Sequence, residues 1–332
     1  MPSRNDISAE ERLIARYFQP LATHPGALGL GDDAAILTPP AGCDLVLTTD
    51  GVIEGVHFFP DDAAGDVARK VLRMSLSDLA AKGAAPLGFL MSVALPASIN
   101  EEWLAGFAAG LGDDACQYAC PLLGGDTDRT PGPTAIEITA LGAVPFGRMV
   151  RRSTAKGGDR IVVTGTIGDA ALGVRLRRDQ ELGHRWPLSE AMRAHLLRRY
   201  LLPEPRTALA AAVLQHASAA MDISDGLAGD LAKLCRASSV GAEIDVARVP
   251  LSEAAKAAIA ADPDAFDPVL TGGDDYELLL CMAPESLPAF GQAAASAGIV
   301  VTEIGGIVAG EGARFVRDGR VLAFARPSYS HF

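Results

Sequence analysis

Six short segments set aspartate beside glycine, hydroxyl or apolar neighbours in patterns that could hold a cation or a phosphate. They are GLGDDA (Gly29–Ala34), TTDGVIEGVHF (Thr48–Phe58), SLSDLAAKG (Ser75–Gly83), LLGGDTDRT (Leu122–Thr130), MDISDGL (Met221–Leu227) and TGGDDYEL (Thr271–Leu278). Glycine lets backbone approach a ligand closely. Carboxylate and hydroxyl oxygens are the donors that a hard cation such as Mg²⁺ accepts. GLGDDA formally fits the G-x-G-x-x-A dinucleotide fingerprint, which should follow a strand and open a helix. Here the preceding residues read as loop and Ala34–Leu37 as strand. Asp32 and Asp33 would repel a pyrophosphate unless a cation lay between them. The bland alternative is a surface turn with two solvated acids.

Asp50 stands where a strand runs into a glycine turn, directly after Thr48 and Thr49. His57 follows seven residues later, and a lone His near aromatics is more often structural than functional. Asp78 sits between Leu76 and Leu79, where unpaired burial would cost several kcal/mol. It must cap, pair, face solvent or bind metal. Asp126 follows Gly124 and Gly125, Asp222 and Asp225 flank Ser224, and Asp274 and Asp275 precede Glu277. Turns favour Asp and Gly anyway, so the recurrence carries the argument. Converging carboxylates repel unless cations neutralise them, and several divalent ions with a polyphosphate is the economical reading. The loop GTIGDAALG (Gly165–Gly173) could cradle a phosphate at a helix start, or be a plain glycine turn. The basic residues of 175–206 read as a solvated face.

The elements that must position these residues follow from periodicity. Helices are predicted over 7–19, with Ser8 as N-cap and Glu11 three positions on, and over 66–82 and 101–120. Strands are predicted at 34–37, 45–49, 87–95 and 134–144, with Leu122–Leu123 leading into a GGD turn. Near residues 145–160 a Gly-rich, basic stretch marks a domain boundary. Beyond it come a strand at 160–164, a helix at 188–199, a helix through Cys235, a strand at 242–246, a helix after Ser252 and a strand after TGGDDYE. Two short segments close the chain. The order suggests α+β or α/β domains, divided as 1–147 and 148–332.

Composition narrows the partners. The 332 residues hold 29 Lys and Arg against 41 Asp and Glu, a net charge of −12. Residues 1–150 carry 9 basic against 19 acidic residues, and 151–332 carry 20 against 22. Nucleic acid and anionic membranes need clustered Lys and Arg, so neither is expected as a partner. No apolar stretch reaches the ~18 residues of a membrane span. The polar N-terminus is unlike a signal peptide, and five scattered cysteines form no zinc pattern, so a reduced cytoplasmic chain is expected. No G-x-x-x-x-G-K-S/T, kinase HRD/DFG set, G-x-S-x-G, H-E-x-x-H or EF-hand loop is present.

In order, GDDAA, TTDG, SLSDLAA, GGDT, DISDGL, GGDDYEL and a terminal HF resemble the thiamine-monophosphate kinases, a family of the aminoimidazole ribonucleotide synthetase superfamily. The resemblance runs from about Leu13 to Phe332. It implies two domains, with N-terminal strands forming a barrel across a homodimer and a larger C-terminal α/β domain. It implies ATP-dependent phosphorylation of thiamine monophosphate to thiamine diphosphate with several Mg²⁺ ions. Carried over, Asp33, Thr48, Thr49, Asp50, Asp78, Asp126, Asp222 and Asp225 become Mg²⁺ ligands, with Asp32 binding through water. Tyr118, Gly125, Asp126, Arg152 and Ser224 become ATP contacts, with Asp126 and Arg152 catalytic. His57, Asp274 and Tyr329 become substrate contacts, although the family usually has Glu where Asp274 stands. The alternatives are a related ATP-dependent ligase or synthetase, a metal-dependent phosphohydrolase, and a non-catalytic ion-binding protein.

Overall fold

In the computed structural model, residues 8–179 and 181–330 are described. The terminal HF of the family pattern lies outside them. The chain divides into two compact units, one running up to Leu79 and over Ala85–Gly147, the other comprising Ala80–Ala84 and Arg148 onward.

The first unit opens on helix α1 (Ala9–Leu13), capped by Ser8, whose hydroxyl accepts the Glu11 N–H while Glu11 reaches back to the Ser8 N–H. The helical path continues as a π-turn to Phe18 and a short 3₁₀ turn to Leu21. Four strands follow: β1 (Cys43–Ile53), β2 (Ala85–Leu95), β3 (Leu122–Arg129) and β4 (Ala135–Pro145). They form a sheet in the order β1-β4-β2-β3, antiparallel except for the parallel β2–β3 pair. Helices α2 (Ala64–Ala81) and α3 (Glu101–Gln117) bury Val71, Leu72, Leu76, Phe107 and Leu111, each worth about 1.5–3 kcal/mol on removal from water. The alternation of β4 buries Ile136, Ile138 and Ala140 and leaves Glu137 exposed. α2 and α3 approach at glycines: a Cβ on Gly110 would collide with the Gly65 carbonyl. Arg73 of α2 fastens the pair, its Nε and Nη2 donating to the buried Asp114 at 2.6 and 3.0 Å.

Two expectations fail here. Ala34–Leu37 forms no strand, because Ile36 spends its N–H on the Gly26 carbonyl rather than on a ladder. The GGD segment is not a turn but the middle of β3, with Gly125 opposite Met91 and Asp126 opposite Ser92. Glycine is required because a Cβ on Gly125 would collide with the Met91 carbonyl. The dipeptide serves close strand approach, which a turn-based reading of glycine misses.

The second unit holds strands β5 (Arg160–Thr164), β6 (Ala219–Asp222), β7 (Gly241–Asp245), β8 (Leu278–Met282), β9 (Val301–Val308), β10 (Gly312–Arg317) and β11 (Arg320–Val321). The seven-stranded mixed sheet runs β11-β10-β7-β9-β5-β8-β6. Its helices are α4 (Asp169–Arg178), α5 (Leu182–Arg185), α6 (Glu190–Leu201), α7 (Ala210–His216), α8 (Leu227–Ser238), α9 (Glu253–Ala261), α10 (Phe266–Thr271) and α11 (Leu287–Ser296). Both faces of the central strands are covered. Ile161, Val163, Leu279 and Cys281 join one apolar cluster, and Val162, Leu278, Leu280 and Met282 the other. That explains why β8 reads LLLCM without alternation. The segment after Met282 holds α11 and three strands, more than the two short pieces expected. No helix among the described residues is long and apolar enough to cross a membrane.

Candidate functional site

Within the first unit, β1 sorts its chemistry by parity. Successive side chains of a strand point to opposite faces. Thr48 and Asp50 face α2, where the Thr48 hydroxyl donates to Asp78 and the Ser75 hydroxyl donates to Asp50 at 3.3 Å. Thr49 lies on the other face, 3.1 Å from Glu137 Oε1 and 3.0 Å from the Thr139 hydroxyl. Thr48, Asp50 and Asp78 therefore form one group, and Thr49 belongs to a different one. Burial, then the Asp78 charge, pushes the Asp50 carboxyl up to about 6, against the Ser75 hydrogen bond. A half-buried carboxylate held near a second one and a hydroxyl is a donor set that suits a hard divalent cation.

The opposite face of the sheet opens into a cleft of about 870 Å³, lined by Asp32, Asp33, Gly125, Asp126, Glu137 and Thr139 among others. Ligand clefts typically enclose about 300–1,000 Å³. The GLGDDA loop reaches it through three consecutive left-handed residues, Leu28, Gly29 and Leu30. Asp32 Oδ1 accepts the Asp33 N–H at 2.8 Å and Asp126 Oδ1 accepts the Thr127 N–H at 3.0 Å. No three His, Cys, Asp or Glu side chains among the described residues already converge on one point. Carboxylates and bare backbone suit a polyanion that arrives with its own cations.

His57 is oriented by its neighbours. Its Nδ1 accepts the Ile53 N–H at 3.0 Å, so the ring proton sits on Nε2, and its carbonyl accepts Lys70 Nζ at 3.0 Å. Tyr118 ends α3 with its ring 5.8 Å beneath the Arg73 guanidinium.

Within the second unit, three segments distant in sequence meet. The Ser224 carbonyl accepts the Asp274 N–H at 2.9 Å, the Ile223 carbonyl accepts the Tyr276 N–H at 2.8 Å, and the Asp225 carbonyl accepts the Tyr329 N–H at 3.0 Å. Asp222, Ser224, Asp225, Asp274 and Tyr329 thus share one locality. Asp274 and Tyr276 both hold left-handed φ values, 69° and 50°, an arrangement that costs energy and must be imposed by surroundings. Arg152 is exposed, on a loop whose carbonyl accepts the Ser238 hydroxyl at 2.9 Å.

Sequence reasoning missed the supports. Glu277, fully buried, accepts from Arg199, from Arg206 and from the Thr164 hydroxyl. Asp275 accepts the Gly168 N–H through both oxygens, at 3.0 and 2.8 Å. Asp169 accepts from Thr166, Ser252 and His195. At the start of α4 the Gly168 N–H of the GTIGDAALG turn is thus spent on Asp275. The only hint in the sequence was that Asp275 and Glu277 lie next to Asp274.

The AIR synthase related protein, N-terminal domain family matches residues 31–144, and the AIR synthase related protein, C-terminal domain family matches 156–318. The thiamine-monophosphate kinase of Caulobacter vibrioides is 42% identical over 324 residues, covering 96% of this chain and 89% of that protein. The crystal structure of the thiamine-monophosphate kinase from Stenotrophomonas maltophilia superposes with a TM-score of 0.83 at 38% identity, covering 96% of this chain and 98% of that one. AaThiL complexed with AMPPCP and TMP superposes with a TM-score of 0.77 at 30% identity, covering 91% of each chain.

Proposed function

Since the chain belongs to the thiamine-monophosphate kinases among the AIR synthase related proteins, we infer that its carboxylate groups serve ATP-dependent phosphorylation of thiamine monophosphate to thiamine diphosphate. The observation that carries this reading is the 870 Å³ cleft with Gly125, Asp126, Asp32 and Asp33 in its wall. A relative 30% identical to this chain was solved with AMPPCP, an ATP analogue, and TMP.

The acceptor is a phosphate monoester whose second pKa is about 6, so its attacking oxygen is ionised at neutral pH and no strong base is needed. The difficulty is bringing two polyanions together. Mg²⁺, when bound, would supply the positive charge that offsets this repulsion. Asp50 and Asp78 with Thr48 would hold ions on one face of the first sheet, Asp33 and Asp126 on the other, and Asp222 in the second unit. Gly125, in the cleft wall, offers backbone to the nucleotide, and the exposed Arg152 supplies positive charge for the transferring phosphoryl group. Tyr118 and Ser224 complete the nucleotide contacts. His57, through Nε2–H, Asp274 and Tyr329 receive the substrate. Transfer is direct and in line, with no phosphoenzyme.

We place the enzyme in the cytoplasm as a homodimer. All five cysteines are free thiols, as a reducing compartment requires. β1 is an eleven-residue edge strand carrying the exposed Leu45, Leu47 and Ile53, and such edges are normally covered. A second copy would cover it and close the barrel.

The deciding assay supplies ATP, Mg²⁺ and thiamine monophosphate and follows thiamine diphosphate. Phosphate release without an acceptor would instead indicate a phosphohydrolase, and a phospho-aspartyl protein would overturn direct transfer.

A further inference from the structure

Asp225 holds an ammonium where the family resemblance expects a divalent ion. It lies in the MDISDGL turn just before α8, and two side chains of that helix face it. Asp230 is fully buried. Its Oδ2 accepts the Ser224 and Asp225 N–H groups at 3.0 and 2.9 Å, which fixes the turn. Its Oδ1 accepts Lys233 Nζ at 2.8 Å, and the same Nζ also donates to Asp225 Oδ2. Asp230 and Lys233 are three residues apart, neighbours on one helix face. From the other side, the Asp225 carbonyl accepts the Tyr329 N–H.

The turn is therefore built from two carboxylates and one cation that the chain itself provides. A divalent ion at Asp225 would have to displace that ammonium or sit beside it, with like charges repelling. A lysine also stays when free metal is scarce.

We propose that Lys233 is the resident cation of this turn, taking the place of a divalent ion at Asp225 and fixing the Ser224–Asp225 backbone without metal. Lys233 is a positioning residue, acting through Asp225 and Asp230 on Ser224. The proposal rests on the kinase reading only for the expectation of a metal at Asp225.

Mn²⁺ bound per chain, counted by equilibrium dialysis with saturating AMPPCP, tests it in the full-length protein. Asp225→Asn should leave the count unchanged. Lys233→Met should raise it by one ion, and the double variant should return it to the wild-type value. Lys233→Met should also raise the KM for ATP at low Mg²⁺ and recover at high Mg²⁺, whereas Lys233→Arg should keep the wild-type KM. Loss of one ion in Asp225→Asn, or no gain in Lys233→Met, overturns the proposal. Should Lys233→Met fold poorly, the Asp225→Asn count decides alone. A chain with this ion pattern that made no thiamine diphosphate would overturn the kinase reading and leave the assignment of Lys233 standing.

Discussion

Asp50 sets the electrostatics of the first unit, because the fold both buries it and places Asp78 close by. Its charge costs more there than on an exposed aspartate, and a bound cation would offset that cost. Mg²⁺ should therefore raise the melting temperature of the chain, EDTA should reverse the rise, and Asp50→Asn should blunt it; an undiminished shift in that variant would move the metal elsewhere. Asp126 is exposed in the middle of β3 and its Oδ1 accepts the Thr127 N–H, a bond that an asparagine keeps, so Asp126→Asn removes charge without removing structure. We expect turnover to fall by about 10²-fold or more, as when a single charge-stabilising group is lost, with an unchanged melting curve. Asp50, Asp126 and Asp222 could be singled out from sequence because glycine or hydroxyl neighbours mark them. Lys233 and Glu277 could not, because their partners are defined by tertiary contact.

At the scale of elements, caps and periodicity were the readable part. Ser8 and Ser252 cap their helices as their sequence neighbours suggest, and β5 spans the residues its β-branched run indicates. What could not be read was glycine used for proximity, as in β3, and loops that satisfy their backbone off the ladder, as at Ile36. The αL loop carrying Asp274 depends on the Glu277 cluster that follows it. Glu277→Gln should destabilise the protein by about 3–5 kcal/mol, the cost of leaving buried cations uncompensated, measured by urea unfolding. Asp169 offers a pH handle. Burial raises its pKa, but the hydrogen bonds from His195, Ser252 and Thr166 prevail and hold it below the ordinary 3.8. A depressed carboxyl pKa adds stability that is complete above the unfolded value and lost as pH falls through the folded one. The stability gap between wild type and Asp169→Asn should shrink as pH falls below 3.8, as thermal melts in that range would show.

For the whole molecule, the family resemblance supplied what composition could not. A charge of −12 argues against phosphate-bearing partners until cations are counted, and the first unit then becomes the natural home of one. The assembly prediction belongs here too. Leu47 is 63% exposed on the outer edge strand, so Leu47→Lys should convert the proposed dimer to monomer in light scattering while the chain stays folded; a monomeric wild type would end that argument. The two-faced use of β1 also bears on how the gene can change. A single inserted codon between Val46 and Thr48 would barely alter composition, yet it would swap inside for outside in one half of the strand. Thr48 and Asp50 would leave α2 for the cleft, or Val46 would turn out of the core. Two inserted codons would restore the parity. Natural length variation should therefore gather in the loop before Cys43, and any within the strand should come in pairs.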